Sequence, residues 1–421
     1  MKIPRQILQK LKIDRLNAMQ EVAFDTINRH EEVILISPTG TGKTLAFLLP
    51  IVAKLDPKVA GLQVLILAPS RELAIQIEQV AREMGSGFKV NAAYGGRKIA
   101  KDKVELAHSP SILIGTPGRI ADHIRRETFS CDAVKYLVLD EFDKSLEIGF
   151  EKEMKQIVQA LPPKVSKVLT SATFGVAVPG FVQLRAPQTI NFEKEGKSQL
   201  TLKRILSPSK DKLEILADSL RHLGAKSGIV FCNYKDSIQR VSAFLAQEGL
   251  PHTCFYGGME QKDRERSLIK FRNGTHRLLL ATDLAARGID VQALDFIIHY
   301  HLPSRSEEFT HRNGRTARMH EEGAAYVLQW AQEPLPDFVG ELRIQELEEK
   351  PTPMPSLWQT LFVSGGRRDK ISKGDIAGLF MKKGGLKAEK LGLIELKNDC
   401  AFVAVSSPDI EPLLQKIIQK T

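Results

Sequence analysis

The run Ser37-Pro38-Thr39-Gly40-Thr41-Gly42-Lys43-Thr44 constrains the fold of this chain more than any other segment. It lies between the apolar Val33-Ile34-Leu35-Ile36 and an apolar stretch from Leu45 to Ala53. A glycine-rich turn between a buried strand and a helix points backbone N–H groups and the positive helix end at one place, a geometry that wraps phosphates. Residues 37–44 are therefore expected to bind a nucleotide, with Lys43 on its outer phosphates and the Thr44 hydroxyl on a magnesium ion. Such a loop works only within a strand–loop–helix unit, so the chain around it must be an α/β structure.

The same alternation continues. Val64–Leu67, Ile112–Ile114, Leu137–Leu139 and Lys167–Leu169 read as buried parallel strands, each ending where polar or glycine residues begin. In open α/β sheets ligands gather at the carboxyl ends of strands, where these polar motifs stand. A polar link at 194–199 interrupts the pattern, which restarts with Ile229–Cys232, Leu278–Ala281, Phe296–Ile298 and Ala325–Leu328. Two similar α/β lobes, 1–193 and 200–344, are expected. A stretch rich in glutamate and proline, 345–356, then leads to a small α+β domain at 357–421.

Asp140-Glu141-Phe142-Asp143 follows Leu137–Leu139 directly. Asp140 is expected to hold the magnesium through water, and Glu141 to orient an attacking water. The segment His311-Arg312-Asn313-Gly314-Arg315-Thr316-Ala317-Arg318 spaces Arg315 and Arg318 for one helical face. Facing the phosphates across a cleft, they would act as arginine fingers, and hydrolysis would then require the lobes to close. By itself the acidic run reads as a solvated loop and the arginine run as a surface helix. Together with the phosphate loop they point to a hydrolytic centre.

The net charge of +10 favours a polyanionic partner. The four cysteines, Cys131, Cys232, Cys254 and Cys400, form no metal-ligand or disulfide spacing and fit a reducing compartment. The first residues open no apolar signal stretch, and no apolar run is long enough to span a bilayer, so a cytoplasmic location without a membrane partner is expected. No obligate protein partner is evident.

In order along the chain these motifs, with Gln20, Ala68-Pro69-Ser70-Arg71-Glu72-Leu73, Gly95-Gly96, Thr116-Pro117-Gly118-Arg119, Ser171-Ala172-Thr173, Phe231-Cys232-Asn233, Gln261 to Arg264 and Ala281 to Asp290, resemble the DEAD-box family of ATP-dependent RNA helicases. The resemblance implies two tandem RecA-like lobes that bind ATP and Mg2+. It implies that Gln20 reads the adenine, that Gly288 and Asp290 help hold the nucleotide, and that Asp143, Ser171 and Thr173 couple the ATP state to the RNA state. Arg71, Gly96, Thr116, Gly118 and Arg119 would lie along RNA from the first lobe, and Arg264 and Thr282 from the second. Contacts of this kind go to phosphate and sugar and carry little sequence information. The chain departs from the family at Phe142, where alanine is usual, and at Asn313 and Ala317, where an apolar residue and a glycine are usual. The aromatic residue that the family places upstream of Gln20 is missing.

In the last domain the expected order is βαββα. Leu361–Val363, Leu393–Leu396 and Ala401–Val405 are its strands, and Ser372-Lys373-Gly374-Asp375 and Ser407-Pro408-Asp409 its helix starts. This resembles an RNA-recognition domain without its last strand. Phe362 and Phe402 are either base-stacking residues or core, and Arg367, Arg368 and Lys370 either grip phosphate or form a solvated turn. The loop and helix start resemble the C-terminal domain of DbpA-type bacterial members, which implies docking on large-subunit ribosomal RNA. The expected function is local, ATP-driven remodelling of short RNA duplexes during large-subunit assembly. An RNA clamp with little turnover and a DNA helicase are the alternatives.

Overall fold

The computed structural model describes residues 5–38, 40–172, 175–192, 199–283, 294–316, 322–406 and 410–418. Two compact units divide the chain, residues 1–197 making the first and nearly all of 198–421 the second. Most of the link expected at 194–199 lies outside the described residues.

In the first unit seven strands form a parallel sheet: β1 (Glu32–Ile36), β2 (Val64–Leu67), β3 (Val90–Ala93), β4 (Ile112–Gly115), β5 (Tyr136–Leu139), β6 (Ser166–Ser171) and β7 (Gln188–Asn191). Their order is β3-β4-β2-β5-β6-β1-β7. Every residue of β2 and of β4 is buried, because apolar helices cover both faces and a continuous Val/Ile/Leu run satisfies both. One face packs against the helices Ala18–Arg29 and Lys43–Ala53 through Phe24, Ile27, Phe47 and Ile51. On the other, Ile120, Phe142, Met154 and Ile157 join the sheet core. The order sets β5, β6 and β1 side by side, so the chain leaving each of them converges on one edge.

The second unit repeats the plan with β8 (Gln199–Ser207), β9 (Gly228–Phe231), β10 (His252–Phe255), β11 (Leu278–Ala281), β12 (Phe296–His299), β13 (Glu322–Trp330) and the two-residue edge strand β14 (Arg343–Ile344). Their order, β10-β11-β9-β12-β13-β8-β14, is again parallel throughout. After β14 the chain is irregular but tied down. Gln345 N donates to Arg204 O at 2.8 Å, Glu348 N to His222 Nδ1 at 3.0 Å, and Arg277 Nη1 to Met354 O at 3.1 Å.

The same unit ends in an antiparallel sheet, β15 (Trp358–Val363), β16 (Leu391–Leu396) and β17 (Ala401–Ser406), ordered β15-β17-β16. One face packs Leu361, Val403 and Val405 against Ile376, Phe380, Leu413 and Ile417. Ser372 starts the first helix with a complete capping box, its hydroxyl accepting from Asp375 N while Asp375 accepts from Ser372 N. The expected βαββα order is present, with β15 starting at Trp358 rather than Leu361. Among the described residues no helix is long and apolar enough to cross a membrane.

Candidate active site

The phosphate loop leaves β1 and turns through Gly40 and Gly42, at φ 85° and 89°, into the helix Lys43–Ala53. Both glycines occupy the left-handed region that side chains resist. At Gly42 the need is doubled, because a Cβ there would strike the Gln20 amide. Lys43 is buried, and its ammonium donates to the carbonyls of Ser37 at 2.6 Å and Pro38 at 3.0 Å. The Ser37 hydroxyl donates to Thr41 Oγ1 at 2.8 Å, and Thr41 donates to Pro38 O at 2.9 Å. Gln20 Nε2 donates to Gly42 O at 3.3 Å, while Asn17 Nδ2 donates to Thr41 O at 3.0 Å. Asn17 and Gln20 also cap each other at the start of Ala18–Arg29, so one helix start braces the loop from the side. Thr44 is half-buried on the first turn of the loop's helix. Thr39 lies outside the described residues.

Beside this loop, β5 delivers Asp140, only 3% exposed. The Thr170 hydroxyl of β6 donates to Asp140 Oδ1, and Glu141 N donates to Thr170 Oγ1 at 3.0 Å. Burial, helped by the charge of Glu141, pushes the Asp140 carboxyl up to about 6, against the pull of Thr170 and Lys43. Glu141 itself stands at φ 46°, a left-handed position that is strained for a side-chain-bearing residue. A buried acid destabilised in its charged form is the kind of group a divalent cation relieves. Among the described residues no group of three or more His, Cys, Asp or Glu side chains is placed to hold a metal by itself. Asp140 and Thr44 suit a hard ion that takes its other oxygens from water and phosphate.

Phe142, where the family usually has alanine, is 3% exposed and belongs to the core cluster with Ile120, Met154 and Ile157, so its extra bulk is absorbed by the core. Asp143 is buried; neither of its oxygens accepts a hydrogen bond, and burial raises its pKa. Lys144 Nζ stands 3.6 Å from Asp143 and 2.7 Å from Glu147. Ser171 ends β6, buried, with its carbonyl accepting from Ser37 N at 3.1 Å. Thr173 lies outside the described residues.

Of the five first-unit residues expected along RNA, Gly96 is exposed at φ 87°, and Arg71 and Gly118 are half-exposed at helix starts. Thr116 is buried at the N-cap of Pro117–Arg125. Arg119 is bound inward. Its Nε donates to Asp102 Oδ2 at 2.7 Å and its Nη2 to Arg97 O at 2.9 Å. His123 Nε2 reaches the same carboxylate at 3.1 Å. Burial works against the charged Asp102, yet the bonds from His123 and Arg119 outweigh it and hold the acid below its usual range.

The second unit centres on Arg312, whose side chain is 1% exposed. Its guanidinium donates to both carboxylate oxygens of Asp283, to Asn233 Oδ1 at 2.8 Å and to His301 O at 2.5 Å, over the Phe231 ring. Residues at the ends of β9, β11 and β12 are thereby pinned to one arginine. Asn313, an unexpected polar residue, has its reason here: it lies 2.9 Å from Nε2 of fully buried His299. Burial, with the charge of Arg312, lowers His299 to about 3, so the ring is neutral. Its Nε2–H then donates to Asn313 Oδ1, and Nδ1 faces Arg312 Nη1 at 3.5 Å. The helix Ser306–Asn313 stops before Arg315, which is buried in the following turn. Arg264 lies over the Phe255 ring at 4.7 Å, and Thr282 N donates to Phe255 O at 3.3 Å. Gly288, Asp290 and Arg318 lie outside the described residues.

In the last domain Arg367 N and Arg368 N donate to the carbonyls of Lys397 and Asn398, fixing the backbone while the side chains of Arg367, Arg368 and Lys370 stay exposed. Phe362 is 62% exposed and meets half-buried Phe402 edge-on at 5.6 Å. The sequence reading gave no role to Asn17, Thr170 or Asp102, and it quoted Asn233, Asp283 and Arg312 within three separate motifs without showing that they meet. These roles rest on buried polar contacts between distant segments.

Residues 17–179 match the DEAD/DEAH box helicase family, 211–320 the helicase conserved C-terminal domain, and 360–421 the DbpA RNA binding domain. The ATP-dependent RNA helicase DbpA of Escherichia coli is 31% identical over 413 residues, covering 94% of this chain and 90% of that protein. The protein of the same name from Bacillus subtilis is 29% identical over 423 residues, covering 92% and 88%. A structure of Saccharomyces cerevisiae Dbp5 bound to RNA and ADP BeF3 aligns with a TM-score of 0.71 at 27% identity, covering 78% of this chain and 88% of that one.

Proposed function

The chain belongs to the DEAD-box ATP-dependent RNA helicases of the DbpA type, and on that premise we propose that it remodels short duplexes of large-subunit ribosomal RNA during ribosome assembly. The observation that carries this reading is the C-terminal domain, which matches the DbpA RNA binding domain and presents Arg367, Arg368 and Lys370 to solvent from a pinned loop. A domain of this kind supplies a target that backbone-reading lobes lack, by raising their effective concentration at one RNA.

In this reading Lys43 and the loop amides bind the ATP phosphates, and Gln20 reads the base. Asp140 and Thr44 hold magnesium, whose part when bound is to neutralise phosphate charge. Glu141 orients the attacking water. Arg315 and Arg318 complete charge stabilisation when the second lobe closes on the nucleotide. Asp143, an acceptor without a hydrogen-bond donor of its own, suits a coupling role with Ser171 and Thr173. Arg71, Gly96, Thr116, Gly118, Arg264 and Thr282 line the RNA path. Arg119 acts there through the Asp102 network that shapes the start of its helix.

The experiment is steady-state ATP hydrolysis with a large-subunit ribosomal RNA fragment against an unstructured RNA of equal length. The expected result is stimulation by both, with a lower half-saturating concentration for the fragment by about tenfold or more, or ~1.4 kcal/mol. Equal stimulation would discard the ribosomal target. Stimulation by neither would favour a clamp that hardly turns over.

A further inference from the structure

Two of the turns expected along RNA in the first unit leave neighbouring strands at one register. β3 ends at Ala93 and β4 at Gly115, and these two residues face each other in the parallel ladder. The strands approach closely there, since a Cβ on Gly115 would strike the Ala93 carbonyl. Thr116 N donates to that carbonyl at 3.2 Å. Beyond this bond one chain segment runs on into Gly95-Gly96 and the other into Thr116–Gly118. Past the ladder, side chains tie the two turns together, and they meet at Asp102.

This acid sits on the helix Ile99–Leu106, its side chain 1% exposed. Oδ2 accepts from Arg119 Nε at 2.7 Å and lies 3.1 Å from Nε2 of fully buried His123. Oδ1 accepts no hydrogen bond and faces Arg97 Nε at 3.6 Å. Arg97 follows the glycine pair directly, and Arg119 closes the Thr116–Arg119 motif. Arg119 Nη2 also donates to Arg97 O at 2.9 Å, and Arg97 Nη2 donates to Glu105 Oε1 at 2.6 Å. His123 is held from its other side, with Nδ1 2.9 Å from Thr128 Oγ1. Arg71 stands beside the same glycines, for a Cβ on Gly95 would lie 3.3 Å from its guanidinium.

We propose that Asp102 is a positioning residue for RNA: it fixes the spacing of the Gly95-Gly96 turn and the Thr116–Gly118 turn, so that both meet one strand of backbone together. The inference rests on the reading of those turns as RNA contacts. A backbone N–H or a hydroxyl grips phosphate well only where it is already aimed, and turns past the end of a sheet have no ladder to aim them. A carboxylate that draws in both arginines supplies the aim and takes Arg97 and Arg119 out of the set of phosphate-neutralising groups. The rival is that both arginines are phosphate cations and Asp102 only restrains them. The two readings differ in sign. Removing the acid frees two positive charges in the rival and strengthens RNA binding, whereas in the proposal it loosens the turns and weakens it.

The test is Asp102→Asn in the full chain, which keeps the shape and removes the charge. ATP hydrolysis stimulated by an unstructured RNA is expected to need about tenfold more RNA for half-saturation, with the maximal rate within about twofold of the parent. The slope of log affinity against log salt should stay as in the parent, because no phosphate-facing cation is lost. Asp102→Glu, which restores the charge, should return half-saturation to within about threefold. A chain that is only destabilised behaves otherwise: fewer folded molecules lower the maximal rate and leave half-saturation alone. That result, or tighter RNA binding with a steeper slope, overturns the proposal. Thr128→Val decides the matter if the asparagine variant folds poorly. It loosens His123 without changing charge and should raise half-saturation by about threefold, and no rise overturns the proposal as well. Arg71→Ala tests the RNA path itself, since losing one phosphate cation should make the slope shallower by about 0.7. If Arg71→Ala weakens binding and Asp102→Asn does not, the path stands and the positioning role is wrong. If neither variant changes RNA binding, the RNA path on this unit falls and the role of Asp102 falls with it.

Discussion

Asp140, in its proposed magnesium-holding role, would trade stability for chemistry at a single residue. Its folded pKa, about 6, lies above the unfolded value of 3.8 because burial and Glu141 penalise the carboxylate. The folded state therefore binds this proton more tightly than the unfolded chain does. The stability that the group contributes is fully present below the unfolded pKa and is lost as pH rises through about 6. Under the proposed role activity has the opposite sign, since only the carboxylate suits a magnesium ion. Asp140→Asn keeps an oxygen for Thr170 and removes the buried charge. It should raise the thermal midpoint by about 2–4 °C while lowering RNA-stimulated ATP hydrolysis by about a hundredfold or more. In the unaltered protein kcat/KM should fall as pH drops through about 6. A variant that melts lower than the parent would show that the charge is stabilised by groups other than Thr170 and Lys43.

At the scale of elements, the second sheet is locked at its carboxyl edge by Arg312 and the His299–Asn313 pair. Two histidines there are depressed from 6.5, His299 to about 3 and His301 to about 4, each chiefly by burial. Their neutral forms favour the fold, so this stability is present above the unfolded pKa of 6.5 and is lost as pH falls toward the folded values. Asn313→Leu would strand the His299 Nε2–H in the core. It should cost about 1–3 kcal/mol, seen as a lower denaturant midpoint at neutral pH with an unchanged slope. No loss would mean that the leucine packs well enough to replace the bond. This pairing was not legible in the sequence, where Asn313 is merely a departure from an apolar position, because Asn313 ends a helix and its partner ends the strand β12. The hub has the same character: Arg312 and Asn233 are 79 residues apart. What the sequence did reveal were the strands buried on both faces, since a continuous Val/Ile/Leu run needs two apolar layers. It hid β3, whose Asn91 and alanines have weak strand preference, and β7, an edge strand with one buried residue. The turns after β1 and β5 were legible because a polar or glycine-rich run directly follows an apolar one at each strand end.

For the whole molecule, testing the proposed division of labour between lobes and C-terminal domain depends on where the chain can be cut without harming a core. Leu347 packs on the core of the second sheet, and Gln345, Glu348 and Met354 bond to it, so residues 345–356 belong with that lobe in stability. A chain ending at Ser356 keeps them all and uncovers Arg272, Asn273, Gly274 and Thr275, a largely polar strip. It should fold, with a thermal midpoint within about 4 °C of the parent, and should hydrolyse ATP on unstructured RNA at a similar maximal rate. It loses Arg367, Arg368 and Lys370, all exposed and set on a pinned loop. If these three contact phosphates, the slope of log affinity against log salt for the ribosomal fragment should become shallower by about 2, and the preference over unstructured RNA should vanish. Binding titrations at several salt concentrations measure both quantities. A shallower slope with the preference intact would place target recognition on the lobes and leave the C-terminal domain as a sequence-blind phosphate grip. An unchanged slope would show that the loop meets no RNA at all.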